Sequence, residues 1–268
     1  MQHISFEKNN PYSVAVIIPT FDRINTLERS IRSVISQTLK PEQIVIVDNG
    51  YNYAEIPYDI KQYVQIIKTE PRIGPGKARN IGATMVDTRY ISFLDDDDTW
   101  EENYLKFSIE TLKKTQADVV VGQLKKADEH GKAQPYKMFP ADKWKQRSVY
   151  YKSPGFGGQN LVICKKMFAQ VGGFDEQMPA SVDRDLAAKI LEYGGIIVPQ
   201  PLSIAVLHHH KNERVRDNIA LGNKIFIQKH WRYMSAIEIL KANKIYLKRL
   251  IKFYYNMLAL NKIKKTYK

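Results

Sequence analysis

The chain has 268 residues, 44% of them hydrophobic, so it can bury a sizeable core as one large domain or as a domain with an appendage. Its formal net charge of +13 predicts an anionic partner, such as nucleic acid, an acidic membrane surface or a phosphorylated substrate, and its single cysteine excludes an internal disulfide framework. No apolar run is long enough for a signal peptide or a transmembrane helix, so the sequence favours the cytoplasm.

The first half of the chain alternates buried apolar runs with helical patterns. Asn25 or Thr26 is expected to cap the first helix, which follows the first strand. Strands are predicted at 14–18, 44–47, 64–67, 90–94 and 119–121, and later helices at 77–86 and 101–115. This alternation predicts βαβ units and a mostly parallel sheet flanked by helices, an α/β fold.

Four consecutive carboxylates, Asp95 to Asp98, directly follow the strand at 90–94. Like charges repel, so such a run is either fully solvated or gathered around a cation that takes oxygen ligands. Asp48 and the Pro19-Thr20 pair also follow apolar strands. Because the carboxyl ends of parallel strands share one edge of a sheet, these three segments are expected to meet there, where α/β folds bind ligands.

The second half is less regular. Residues 122–158 show no sustained period, which predicts a loop-rich insertion that carries acceptor contacts or a mobile lid. A strand at 161–164, a short helix at 168–172, a helix from 183 to 193 and strands at 196–198 and 204–207 follow. Three histidines, His208 to His210, end the last strand.

The C-terminal thirty residues, 239–268, contain nine Lys/Arg and no Asp or Glu, so they hold 9 of the 13 excess positive charges. As a helix, lysines at 241, 244, 248 and 252 share one face, and apolar residues at 240, 247, 251, 254 and 258 share a largely opposite one. Two interpretations remain open: the apolar stripe lies on an anionic bilayer, or the helix packs on the main domain and shows a solvated basic face.

Six motifs occur in one order: Ile17–Arg23, Val47–Gly50, Gly76–Gly82, Phe93–Asp98, Gly172–Glu176 and Asp183–Leu186. In this order they resemble family 2 glycosyltransferases of the GT-A fold. The resemblance implies a GT-A domain over residues 1–210, with a nucleotide-sugar half at about 11–121 and an acceptor half at about 122–210, followed by a helical basic extension at 211–268. It also implies inverting transfer of a sugar from a nucleotide diphosphate donor, usually uridine-based, with Mn²⁺ or Mg²⁺.

The resemblance also assigns donor and metal residues. Asp95 and Asp97 correspond to the Asp-x-Asp pair, with Asp97 as first choice for metal contact. His210 is the preferred further ligand, although three adjacent histidines equally fit a polar end of a strand. The four acids leave the register open by one residue, and Asp98 is expected to orient a water or to cap a helix at Thr99-Trp100. The remaining nucleotide-sugar residues are Pro19, Thr20, Asp22, Arg23, Asp48, Lys77, Arg79, Asn80 and Asp96.

Some of these assignments have structural alternatives. Asp48 corresponds to the acid that accepts the imide N–H of uracil, but it also precedes Asn49-Gly50, a strong turn sequence. Asn49 stands where a second Asp is frequent in the family. Lys77 at a helix start can meet phosphate or simply be solvated.

Asp183 corresponds to the catalytic base, which takes the proton of the acceptor hydroxyl. Its predecessor is Val182, where relatives commonly have Glu. Predicted acceptor contacts are Gly158, Gln159, Asn160 and Asp185. The resulting hypothesis is a hexosyltransferase of surface polysaccharide or lipid-linked glycan assembly, cytoplasmic or peripheral on the membrane. A sugar-nucleotide nucleotidyltransferase and a basic protein that binds nucleic acid or membranes remain alternatives.

Overall fold

The computed structural model describes residues 10–208 and 218–266. Strands in the first half are β1 (Val14–Thr20), β2 (Gln43–Asp48), β3 (Gln65–Lys68), β4 (Tyr90–Phe93) and β5 (Thr99–Trp100), and helices are α1 (Ile24–Ile35), α2 (Tyr58–Lys61), α3 (Pro75–Thr84) and α4 (Tyr104–Thr115). The second half has β6 (Val119–Ala127), β7 (Ala133–Lys137), α5 (Lys143–Gln146), β8 (Leu161–Cys164), α6 (Lys165–Gln170), α7 (Val182–Glu192), β9 (Ile197–Leu207), α8 (Ile219–His230) and α9 (Ala236–Thr266).

The described strands form one sheet in the order β3-β2-β1-β4-β8-β6-β9-β5, with β7 paired to β6. Strands β1, β2, β3 and β4 are parallel, as are β6 and β9, whereas β8 is antiparallel to both β4 and β6. Six of these strands therefore run in the same direction, and β5, β7 and β8 run against it. The α/β expectation of a mostly parallel sheet flanked by helices is confirmed.

The core lies on both faces of this sheet. Along β1, Ala15 and Ile17 pack into one buried cluster, while Val14, Val16 and Ile18 pack into another. Alternate residues of a strand point to opposite faces, so an unbroken apolar run is what a strand covered on both sides requires. Helix α3 packs on the first face and α1 and α4 on the second.

Register brings the ends of three strands together. Thr20 pairs with Asp48 across β1 and β2, and Ile17 pairs with Phe93 across β1 and β4. The acidic loop that follows β4 therefore lies beside the last residues of β1. This is the edge at which the sequence predicted that the three segments would meet.

Several element predictions need correction. Helix α1 begins at Ile24, so Asn25 and Thr26 lie inside it and do not occupy its N-cap. Thr99-Trp100 forms β5, which pairs with β9, and α4 begins only at Tyr104, so Asp98 caps no helix there. The region 122–158 is not mainly loop: β6 continues to Ala127 and forms a hairpin with β7. The two predicted last strands are one strand, β9.

Helices α8 and α9 follow the sheet and pack on each other. In the described part of the chain, no helix combines the length and the apolar composition that crossing a bilayer requires.

Candidate active site

A cleft of about 610 Å³ opens at the carboxyl edge of the sheet. It is lined by Pro19, Thr20, Phe21, Arg23, Asn49, Arg72, Gly74, Pro75, Arg79, Asp95, Asp96, Asp97, Val182 and Asp183. Eight of these were predicted as site residues from the sequence: Pro19, Thr20, Arg23, Arg79, Asp95, Asp96, Asp97 and Asp183. A large cleft at the carboxyl ends of parallel strands is the usual ligand site of α/β folds.

Asp96 is tied to the end of β1. Its carboxylate accepts hydrogen bonds from the Thr20 hydroxyl at 2.8 Å and the Phe21 backbone N–H at 3.4 Å, and it lies 3.3 Å from the Arg23 guanidinium. Burial raises the pKa of Asp96 to about 6, although the Thr20 hydrogen bond and the Arg23 charge act against that shift. The side chain thus fixes the acidic loop against β1.

The other three acids of the loop converge. Asp95, Asp97 and Asp98 each offer one carboxylate oxygen, and these oxygens lie within 4.8 Å of one another. Carboxylate oxygens are the ligands that Mg²⁺ and Mn²⁺ prefer, so the chemistry of this donor set fits a divalent cation. The predicted pair Asp95 and Asp97 is thus brought together, and Asp98 joins it.

The end of β9 lies beside this acidic cluster. The His208 backbone N–H donates to Asp98 Oδ1 at 3.1 Å, and His208 Nε2 is 2.9 Å from Thr99 Oγ1. The late histidine segment therefore reaches the acidic loop. His210, the predicted histidine ligand, lies outside the described residues.

Two arginines balance the acids. Arg23 forms ion pairs with both Asp96 and Asp97, and Arg79 forms one with Asp95. Arg79 is only 5% exposed, and its guanidinium lies 5.2 Å from the ring centroid of Phe174. Burial lowers the pKa of Arg79, but the charges of Asp95 and Asp183 outweigh it and the net shift is upward. Arg79 is thus a buried cation at the cleft floor.

Asp183 lies in the first turn of α7 and lines the cleft. Its Oδ1 accepts a hydrogen bond from the Gly158 backbone N–H at 3.0 Å. Helix α7 begins after Ser181, whose φ of 67° is in the left-handed region. The carboxylate is half-buried and lines the same cleft as Asp95 and Asp97.

Gly158 was predicted as an acceptor contact, but its backbone orients Asp183. A Cβ on Gly158 would lie 3.0 Å from Cζ of Arg79, so glycine is the residue that fits between these two groups. The predicted acceptor residue Gln159 accepts a hydrogen bond from the Trp100 indole through its carbonyl. Asn160 is buried and donates to the carbonyls of Gly122 and Gly155. Neither amide side chain lines the cleft.

Three further predicted residues are placed away from the cleft. Lys77 is exposed on α3. Asn80 donates to the carbonyl of Phe174 at 2.8 Å and accepts from the Phe174 N–H at 2.9 Å, so it joins α3 to the loop before α7. Asp185 is fully buried and faces α8, where its carboxylate contacts His230 at 2.9 Å and Lys229 at 2.7 Å.

Asp48 and Asp22 border a separate pocket of about 60 Å³. The Asp48 carboxylate accepts from the backbone N–H groups of Gly50 and Ala54, each at 2.9 Å, and from Lys68 Nζ at 3.1 Å. Asp22, in the left-handed region with φ 49°, accepts from the backbone N–H groups of residues 51 and 52. Together they hold the loop after β2.

An aromatic and cationic group that was not predicted from the sequence lies beside the cleft. The Arg72 guanidinium lies 5.3 Å from the ring of Tyr51 and 5.9 Å from that of Phe21, and the two rings are 6.0 Å apart. Flat rings and a guanidinium are surfaces on which a nucleobase can stack. Phe21 directly follows β1 and Arg72 soon follows β3, and that position at strand ends could have pointed to both.

Comparison with known proteins identifies the family. The model of glycosyl transferase family 2 matches residues 15–172, more than half of the chain. The chain belongs to this family. The carboxyl ends of β1 and β2 and the acidic loop that follows β4 lie inside the matched range.

Two family relatives illustrate the similarity. Poly(ribitol-phosphate) beta-N-acetylglucosaminyltransferase TarP of Staphylococcus aureus is 33% identical over 117 residues, which are 41% of this chain and 36% of that protein. An uncharacterized glycosyltransferase of Rickettsia conorii is 26% identical over 205 residues, 73% of this chain and 34% of that protein. The chain thus spans about a third of the length of these curated relatives.

Among solved structures, S. aureus TarS 1–349 in complex with UDP-GlcNAc has a TM-score of 0.66 at 16% identity, covering 89% of this chain and 71% of that one. GalNAc-T7 with UDP, GalNAc and Mn²⁺ has a TM-score of 0.58 at 20% identity, covering 75% and 44%. At these identities the likeness shows the fold, and the GT-A fold expected from the sequence is confirmed.

Proposed function

We propose that this family 2 protein is an inverting glycosyltransferase that moves a sugar from a UDP-sugar to a hydroxyl of a glycan or lipid-linked acceptor. The proposal rests on one observation: Asp183 and the acidic cluster line the same cleft. A candidate base therefore lies beside a candidate site for the donor diphosphate. The names of the relatives support the substrate classes: TarP acts on poly(ribitol-phosphate), and another relative is the Rhizobium meliloti succinoglycan biosynthesis protein ExoW.

The nucleoside would lie between the ends of β1 and β2. Phe21, Tyr51 and Arg72 offer stacking surfaces there, and Pro19 and Thr20 shape the wall. The UDP and UDP-GlcNAc bound to TarS support a uridine donor. We retain Asp48 as acceptor of the uracil imide N–H, since it borders the adjoining smaller pocket.

Charge compensation is the main chemical task at the diphosphate. Asp95, Asp97 and Asp98 would hold Mg²⁺ or Mn²⁺, which supplies positive charge to the diphosphate and stabilises its departure. Arg23 and Arg79 both line the cleft, the first about half-exposed and the second almost fully buried. Both guanidinium groups can add charge-assisted hydrogen bonds to phosphate oxygens.

Asp183 would act on the acceptor. As the acceptor oxygen forms its bond to the anomeric carbon, the hydroxyl proton passes to the Asp183 carboxylate, while the bond from that carbon to the diphosphate breaks on the opposite face. The N–H of Gly158 fixes the direction of the carboxylate at 3.0 Å. A single displacement of this kind inverts the anomeric configuration.

The test is UDP release from a panel of UDP-sugars, together with donor binding measured by calorimetry. Asp183→Asn is expected to lower turnover at least about 100-fold, the scale of general-base catalysis, and to leave donor affinity unchanged. Asp97→Asn is expected to weaken donor binding in the presence of Mn²⁺. Asp87→Asn, on an exposed loop, is the control. Full turnover by Asp183→Asn would contradict the assignment of the base.

A further inference from the structure

Helix α9 leaves a stripe of large aliphatic side chains in solvent. Ile237, Leu240, Leu247 and Ile251 are 65%, 71%, 53% and 68% exposed. Their spacing of three, seven and four residues places them on one side of a helix. An exposed apolar stripe of this kind is costly in water, and it marks an interaction surface.

The other side of α9 fixes this orientation. Glu238 and Ala242 are buried against the rest of the protein. Glu238 accepts two hydrogen bonds from the Arg147 guanidinium, at 2.9 and 2.6 Å, and the backbone N–H of Ser235 donates to it at 2.8 Å. The helix therefore packs on the domain, but not through its aliphatic stripe.

Lysines share the exposed side. Lys241, Lys244 and Lys248 are exposed, and steps of three and four residues place them next to the aliphatic stripe. We call these three lysines and the four aliphatic residues the outer face of α9. The sequence expectation of largely separate basic and apolar faces is thus replaced by one mixed face, and no Asp or Glu occurs anywhere in 239–268.

We propose that the outer face of α9 docks on an anionic phospholipid bilayer. An amphipathic helix lying in the interface inserts its aliphatic side chains among the acyl chains, and its lysines pair with the headgroups. A second copy of the chain would place two sets of lysines against each other, where they repel. Nucleic acid would pair with the lysines but leave the four aliphatic side chains exposed to water. Neither partner therefore matches both components of the outer face. Trp231 and Tyr233, exposed just before α9, are of the kind enriched at bilayer surfaces.

The experiment is co-flotation of the full chain with vesicles of phosphatidylcholine alone or mixed with phosphatidylglycerol. Two variants divide the outer face: Lys241→Gln/Lys244→Gln/Lys248→Gln removes charge, and Leu240→Gln/Leu247→Gln/Ile251→Gln removes the stripe. Each has a matched control of three substitutions at exposed positions elsewhere, Lys106→Gln/Lys114→Gln/Lys166→Gln and Met85→Gln/Ile196→Gln/Leu202→Gln. Both lysine variants lower the net charge from +13 to +10.

Binding is expected only with phosphatidylglycerol, and to weaken as salt rises. The lysine variant should reduce it by about 100-fold, since each of the three lysines near an anionic surface contributes about fivefold. The stripe variant should reduce it as strongly, with both controls at wild-type level and unchanged thermal unfolding. Equal losses in a control, or flotation with neither vesicle, would overturn the proposal. Binding to random-sequence DNA without flotation would also overturn it. A stripe variant whose only effect is to convert a dimer into a monomer, as measured by sedimentation, would overturn it too.

Discussion

Arg79 makes two contacts at the candidate site that depend on the planar shape of its side chain. Its planar guanidinium pairs with Asp95 and lies against the ring of Phe174 while almost fully buried. Lysine has a point charge on a flexible stem and cannot reproduce both contacts. Replacing Arg79 with lysine should therefore keep the positive charge but lose the planar contacts, and replacing it with alanine should lose both.

Arg79→Lys should lower kcat/KM at least about tenfold in the UDP-release assay, because lysine cannot make the planar contacts. Arg79→Ala should lower the free energy of unfolding by about 3 kcal/mol, because it leaves Asp95 without its buried partner. Arg89→Lys, at an exposed position, is the control. Wild-type kcat/KM in Arg79→Lys would show that only the charge matters there.

Gly158 lies too close to Arg79 to leave free space for a side chain. An alanine Cβ would lie 3.0 Å from Cζ of Arg79, tighter than most Cβ contacts, so it should shift the guanidinium by a few tenths of an ångström and disturb the N–H that orients Asp183. We expect Gly158→Ala to reduce kcat about tenfold and the free energy of unfolding by about 1 kcal/mol. Gly76→Ala, whose Cβ would have its nearest neighbour at 3.6 Å, should leave kcat unchanged.

The acidic loop 95–98 could be placed from the sequence because the carboxyl ends of parallel strands share one edge of the sheet. The helical residues could not be predicted with the same precision. Arg79, Lys77 and Asn80 all lie early in α3, but only Arg79 points into the cleft. Helix α3 begins at Pro75, two residues before the predicted start, and the direction of each side chain depends on that start and on what packs above it.

At the scale of elements, a buried charged cluster joins α7 to α8. His230 lies between Asp185 at 2.9 Å and Glu192 at 2.7 Å, both on α7. Lys229 pairs with Asp185 and with Asp175, in the loop before α7. Because Asp183 is two residues from Asp185, α8 holds the helix that carries the candidate base.

This cluster makes stability depend on pH. Burial lowers the pKa of His230, but hydrogen bonds to Asp185 and Glu192 outweigh it and raise the pKa above 6.5. A raised pKa in the folded state means that the stabilisation is fully present below the unfolded value and is lost as pH rises through the folded one. Urea unfolding between pH 6 and 9 should show that loss.

His230→Gln should flatten this pH profile, since glutamine does not titrate. His130→Gln, at a side chain that is 84% exposed, should leave the profile as it is in the wild type. A wild-type free energy of unfolding that does not fall over this range would contradict the assignment to His230.

Element predictions failed where burial patterns were weak. Strand β7 is mostly exposed and contains Pro135, so it shows neither the apolar run nor the alternation by which strands are recognised. Strand β9 was divided in two because residues 199–203 are largely polar or proline. The sheet accommodates them with a register shift opposite Gly122 and Gln123.

Negative and positive charges are concentrated in different parts of the chain. Acidic side chains gather at the sheet edge, while the C-terminal thirty residues carry nine of the thirteen excess positive charges and no acids. Such separation was readable from the sequence because charge counts need no structure. Which face of α9 is covered was not readable, because it depends on the contact between Glu238 and Arg147.

The gathered acids also predict how ligands affect the stability of the whole protein. Asp95, Asp97 and Asp98 repel one another, so a divalent cation and the diphosphate that it binds should stabilise the folded state together. UDP with Mn²⁺ at about 100-fold above Kd should add about 2.7 kcal/mol, or about 5 °C in Tm. Either ligand alone should add less. Asp97→Asn should remove the dependence on Mn²⁺ and Asp87→Asn should retain it, whereas an equal rise in Tm with UDP and a chelator would show that these carboxylates do not act through a cation.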